Sequence, residues 1–131
     1  MSNVPDELRY TKTHEWVRTL PDGKLEIGVT DHAQQSLGDV VFVELPEPGR
    51  QLEVGAAYAV VESVKAAADV YAPVGGKVTA VNSELAAAPE RINSDPYGAG
   101  WLVRLEPVGA AAAAQLMSAA EYRRQLESEE A

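Results

Sequence analysis

Cysteine is absent from the 131-residue chain. That excludes a disulfide framework, a thiolate nucleophile and a cysteine-ligated metal. Basic residues are scarce: 11 Lys and Arg stand against 20 Asp and Glu, for a net charge of −9. Phosphate backbones need a basic face, so a nucleic-acid partner is not expected. The acidic excess suits partners with basic docking surfaces. No apolar run approaches the length of a membrane span, so no membrane role is expected. The opening MSNVPDELRY lacks a basic n-region and an apolar h-region, and it is not rich in Arg and Ser. No signal or transit segment is read there, and a cytoplasmic location is expected.

What is present is a globular composition, 46% hydrophobic, in a length that fits one domain over residues 1–131. Apolar segments at 16–20 and 24–30 flank the turn signal Pro21-Asp22-Gly23. A short helix is expected from Thr30 or Asp31, with a polar cap, to a stop at Gly38. Further short strands are expected at 40–45, 51–54, 57–61, 68–72, 77–81 and 101–106, broken by Gly and Pro. Such punctuation means an all-β barrel or sandwich. Residues 82–100 read as loop with one helical turn near 83–86, and 93–101 as an ordered Pro/Gly loop. A C-terminal helix is expected over about 115–127, its second half capped by Ser118 with Glu121 as a capping box. Residues 128–131 are expected to fray.

The string Gly38-Asp39-Val40-Val41-Phe42-Val43-Glu44 is echoed by Gly76-Lys77-Val78-Thr79-Ala80-Val81-Asn82. The echo implies two quasi-equivalent halves, each giving a strand to each of two sheets. Val40 and Val78 would be equivalent inward positions, as would Val43 and Val81, and Lys65 would lie in the second half's exposed hairpin.

Four lysines occur: Lys12, Lys24, Lys65 and Lys77. Lys65 alone sits between two apolar strand runs with small residues on one side. It reads either as a solvent-facing turn lysine or as an acylation site. The second needs an amine that protrudes from a tight hairpin without bulky neighbours. Val64 and Ala66 meet that need, and Glu62 offers a modifying enzyme a polar mark. His14 and His32 each stand beside an acid, but their spacing matches no metal-ligand pattern, and no Ser or Cys nucleophile accompanies them. A hydrogen-bonded structural role is expected for both, and sheet or core packing for Trp16 and Trp101.

The string VESVKAAADVYAPVGGKV resembles the lipoyl-lysine segment of glycine cleavage H-proteins. YTKTHEWV, IGVTDHAQQSLGDVVFVELPEPG, INSDPYGAGWLVRL and SAAEYRRQ also resemble segments of that family, in its order and spacing. Biotin carriers usually present Met-Lys-Met, and 2-oxoacid dehydrogenase lipoyl domains Asp-Lys-Ala, so neither fits Val64-Lys65-Ala66 as well.

The resemblance implies a mostly β fold, a flattened barrel-sandwich hybrid of two small antiparallel sheets with short peripheral helices and a C-terminal helix. It implies lipoic acid amide-linked to Lys65, with Glu62, Val64 and Ala66 as recognition context. It implies a non-enzymatic shuttle in glycine catabolism and one-carbon metabolism. Its partners would be glycine decarboxylase (P-protein), aminomethyltransferase (T-protein), dihydrolipoamide dehydrogenase (L-protein) and lipoate-attachment enzymes. The absence of cysteine suits a carrier of a redox-active dithiol. The resemblance also places an arm-holding cleft at Thr13, Glu15, Val29, Ser36, Leu37 and Asp69, with Glu15 and Asp69 as carboxylates for a cationic cargo and Val29 and Leu37 as walls. Ser36 stands where some members carry histidine, so no imidazole role is carried over. Two other readings differ in class: an intermediary passing lipoyl groups to other carrier domains, and a free-standing hydrolase or metal enzyme, for which no catalytic constellation is visible.

Overall fold

The computed structural model describes residues 3–109 and 116–130. Among the described residues, nine strands form two antiparallel sheets. The first contains β1 (Arg9–Tyr10), β2 (Glu15–Thr19), β3 (Leu25–Val29), β9 (Val103–Pro107), β8 (Gly76–Val81) and β5 (Gln51–Leu52), in that spatial order. The second contains β4 (Val40–Glu44), β6 (Ala57–Ser63) and β7 (Ala67–Tyr71). The expected two-sheet β architecture is therefore present, with the first sheet the larger.

Local signals account for most boundaries. Leu20 N–H donates to Lys24 O at 2.8 Å, closing the turn that Pro21, Asp22 and Gly23 build. Helix α1 (Asp31–Leu37) begins where Thr30 Oγ1 accepts from Ala33 N–H at 3.2 Å. It stops at Gly38, whose φ of +79° suits glycine and whose N–H reaches Gln34 O.

The internal echo has a structural counterpart. The register of β4 against β6 shifts between Val40 and Phe42, and that of β8 against β9 shifts between Val78 and Ala80. These are the same offsets in the two strings. Val40, Val43 and Val78 are buried, and Val81 is half-buried against the same core. One part of the expectation is corrected: β6 is the strand paired with β4, so the Lys65 hairpin lies between the two copies and not inside the second half.

Other corrections concern the helices. The C-terminal helix, α3 (Ala119–Glu130), does not begin near 115. Gln115 lies outside the described residues, and Met117 is extended, exchanging two 2.9 Å backbone hydrogen bonds with Tyr10. Ser118 caps the start of the helix, not its second half. Its N–H donates to Glu121 Oε1 at 2.9 Å, and Glu121 N–H returns to Ser118 Oγ at 3.2 Å. The tail expected to fray is helical through Glu130, while Ala131 lies outside the described residues. Besides the expected 3₁₀ turn (Ser83–Ala86), a second helical turn, α2 (Arg91–Ser94), interrupts the segment 82–100 expected as loop. It is too short to show a helical apolar period. β1, two residues long, is likewise too short to show a strand pattern.

The main core lies between the sheets and includes Val17, Ile27, Val61, Val78 and Leu105. A smaller core lies where α3 covers β1 and β2. There Tyr122 stacks on Tyr10 at 4.6 Å with planes 4° apart, beside fully buried Trp16. Trp101 is half-buried against this smaller core, with the Arg104 guanidinium 4.3 Å from its ring centre. Trp16 pairs across the ladder with Gly28 and donates from Nε1 to Pro96 O at 2.9 Å. A Cβ on Gly28 would stand 2.6 Å from that indole nitrogen. Gly28→Ala is therefore expected to destabilise by about 1–3 kcal/mol through overpacking. A urea midpoint that does not fall would show that the indole yields freely.

Candidate functional site

Lys65 is exposed at the tip of the β6–β7 hairpin, as the sequence predicts. The strands run slightly further than expected, to Ser63 and from Ala67, so the connection is tight. Tight hairpin connections often need positive φ at a glycine or asparagine, and none of residues 64–66 has it. Here Ser63 supplies the closure. Its N–H donates to Ala66 O at 2.7 Å, and its hydroxyl oxygen accepts from Ala66 N–H at 3.1 Å and Lys65 N–H at 3.3 Å. Val64 N–H donates to Asp39 O at 3.1 Å, tying the tip to the chain after α1. The turn is thus ordered by backbone groups and Ser63, and among the described residues no hydrogen bond or ion pair engages the lysine side chain.

The neighbours of Lys65 leave its amine accessible. Val64 is 71% exposed, and Ala66 is exposed. Glu62 is half-buried on β6, opposite Phe42 and Ala67. A Cβ on Gly38 would lie 3.6 Å from Lys65 Cε, so the lysine stem leans over the end of α1. That end is held by Asn93, whose Nδ2 donates to Gly38 O at 2.8 Å and whose Oδ1 accepts from Val40 N–H at 2.9 Å. Sequence reasoning misses both Ser63 and Asn93. Ser63, two residues before the lysine in a turn without glycine, is detectable by turn chemistry; Asn93 is not, because its partners are remote.

Beneath the hairpin lies a cleft of about 350 Å³. Thr13, Glu15, Val29, Ser36, Leu37 and Asp69 all line it. The base of the hairpin itself contributes Val61 and Ala68. A wider hollow of about 510 Å³ shares Thr13 and Glu15 but opens the other way, toward Val54, Pro73 and Met117. Of these two hollows, the smaller is the one lined by both α1 and the base of the Lys65 hairpin.

Glu15 is 2% exposed, the most deeply buried carboxylate in the cleft. Its position follows from the turn before β2, where Thr11 and Thr13 hydroxyls both donate to Oε1 at 2.5 Å. Oε2 receives only a 3.4 Å contact from Tyr71 N–H. Burial pushes the Glu15 carboxyl above the usual range, opposed by the threonine hydroxyls and that N–H. Oε1 thus accepts two hydroxyls, whereas Oε2 has only the long contact from Tyr71 N–H among the described residues. Asp69 is exposed at the rim. Val29 and Leu37 are buried and form apolar walls.

His14 and His32 also line this cleft, beside Glu129 of α3. The expected hydrogen bonding is present for His14, whose Nδ1 lies 2.7 Å from the Tyr122 hydroxyl. Their ring centres are 4.6 Å apart, a proximity that no sequence pattern signals.

The profile of the glycine cleavage H-protein family matches residues 8–129. Among curated relatives, the glycine cleavage system H protein of Aromatoleum aromaticum is 59% identical over 96% of this chain and 98% of its own length. That of Nitrosospira multiformis is 59% identical over 98% of each chain. The crystal structure of a glycine cleavage system H protein from Mycobacterium marinum is similar at a TM-score of 0.87, with 38% identity over 95% of this chain and 99% of that one. Joined to the sheet arrangement and the hairpin lysine above its cleft, these matches make the chain a member of the glycine cleavage H-protein family.

Proposed function

We propose that this chain is the lipoyl-bearing shuttle of a glycine cleavage system, and that Lys65 carries the lipoyl group. The observation that supports this most is the hairpin: the tip is ordered without the lysine side chain, Lys65 is exposed there, and the base of the hairpin lines a cleft that contains a buried carboxylate. The residues fit the group, since nothing bulky blocks the amine. When bound, lipoic acid supplies a disulfide that accepts the one-carbon unit and two electrons.

The protein's own work is presentation and protection. Ser63 and Asp39 hold the tip, so three successive active sites meet a tethered substrate at high effective concentration. The partners are the P-protein, which loads the aminomethyl group, the T-protein, which removes it, and the L-protein, which reoxidises the dithiol. Lipoate-attachment enzymes read the turn, with Glu62, Val64 and Ala66 as its context. Within the cleft, Glu15 Oε2 accepts from the cationic amine of the cargo, while Val29 and Leu37 keep water away. Thr13 orients Glu15, and Asp69 and Ser36 form the polar rim. The chain carries out none of the three reactions itself and works in the cytoplasm.

Purified P-protein tests this reading. Lipoylated chain, glycine and labelled bicarbonate are expected to give saturable exchange of label into glycine. A chain that accepts lipoyl groups yet supports no exchange would instead be the lipoylation intermediary.

A further inference from the structure

His14, His32 and Glu129 come from three separate elements: the turn before β2, the first turn of α1 and the last turn of α3. Their ligand-capable atoms all lie within 4.8 Å of one another. His14 Nε2 is 3.2 Å from Glu129 Oε1, and His32 Nε2 is 3.9 Å from the same oxygen. Tetrahedral zinc with bonds of ~2.0–2.1 Å spaces its ligand atoms roughly 3.3 Å apart. Small side-chain rotations therefore bring all three to coordination distance. We propose that these residues form a binding site for a divalent ion of the zinc class, with the fourth position open to the cleft.

Several independent features support it. The ring of His14 is already oriented, because Nδ1 meets the Tyr122 hydroxyl at 2.7 Å and that hydroxyl meets Thr30 Oγ1 at 2.7 Å. Metal-bound histidines are held this way by a partner on the other nitrogen. The Tyr122 hydroxyl can donate or accept. Binding then needs only the proton to reside on Nδ1, donated to Tyr122, and leaves Nε2 bare for the ion.

The backbone and the charge distribution add to this. His14 alone among the described non-glycine residues has positive φ, at 70°. Its conformation is held by Thr30 N–H donating to His14 O at 3.1 Å and by His14 N–H donating to Thr11 O at 3.2 Å. A non-glycine residue kept in the left-handed region marks a place where geometry is imposed. Glu129 sits at the negative end of the α3 dipole, where no basic residue occupies the last turn. A bound cation would offset that unfavourable placement. Two imidazoles with one carboxylate and an open position is a donor set that zinc accepts. All three residues line the cleft, so water or a thiolate could complete the ion from the cavity side.

The test uses the full chain with Lys65 unmodified, so its outcome is independent of the carrier reading. Protein stripped by a chelator is titrated with zinc chloride by calorimetry, and with cobalt(II) chloride by visible absorption. One zinc per chain and intense tetrahedral cobalt bands are expected. His32→Ala and Glu129→Gln should each weaken zinc binding about ten-fold or more, with metal-free unfolding midpoints near that of the parent. Glu127→Gln, an exposed acid on the same helix end, should bind zinc as the parent does. Absence of saturable binding would overturn the proposal. So would equal binding by the parent, His32→Ala and Glu129→Gln, which would mean an adventitious ion only.

Discussion

Lys65→Arg is expected to fold normally, gain no lipoyl mass and lose all carrier activity. The guanidinium keeps the positive charge and the long stem but stays protonated and delocalised, so it does not form the acyl amide. The fold should not notice. The tip is closed by Ser63 and by Val64 N–H on Asp39 O, and none of these bonds involves the lysine side chain. The side chain is exposed, and substitutions at such positions usually change stability by less than about 0.5 kcal/mol. Intact mass after co-expression with an attachment enzyme reads the first effect, and bicarbonate exchange with P-protein reads the second. The other lysines offer an internal control. Lys77 lies on β8 within the sheet, opposite Glu106 and Gln51, and Lys12 lines the wider hollow away from the hairpin. A lipoyl mass shift that survives in Lys65→Arg would assign the modification to one of them.

Glu15→Gln separates protection of the cargo from stability of the fold. The buried carboxylate has one oxygen, Oε2, engaged only by the 3.4 Å contact from Tyr71 N–H, and a hydrogen bond from a charged amine contributes ~1.5–3 kcal/mol. Its loss should shorten the lifetime of the aminomethylated protein about ten- to hundred-fold in the absence of T-protein. Lipoylation should be unaffected. Asp69→Asn should act in the same direction but less, because Asp69 is exposed and solvent screens it.

Stability is expected to move the other way. A carboxyl whose pKa is raised on folding favours the folded state below its unfolded pKa. It loses that contribution as pH climbs through the folded value. Ionised Glu15 is thus a cost at neutral pH. Glu15→Gln should be at least as stable as the parent there, with any advantage fading below about pH 4. The cargo measurement loads the protein with P-protein and glycine, removes the enzyme, and follows formaldehyde and ammonia. Unchanged release from both Glu15→Gln and Asp69→Asn would remove these acids from the mechanism.

Features set by neighbouring residues are legible in the amino-acid order itself. The turn at Pro21-Asp22-Gly23, the Thr30 cap and Gly38 stop of α1, the Ser118–Glu121 box and the Ser63 closure of the Lys65 turn all depend on interactions within a few positions. The family resemblance rests on such strings too. Every feature built across the sheets needs the tertiary structure. Glu26 is buried between Arg18 and Arg104, at 2.8 and 3.0 Å. Arg104 arrives only because β9 pairs with β3. Asn93 gains its role from Gly38 and Val40, and the His14–His32–Glu129 cluster exists only because α3 folds back over the turn before β2. A residue type and its immediate neighbours determine a cap or a turn. Convergence of remote side chains is decided by strand pairing and by burial of the apolar faces, which no local pattern encodes.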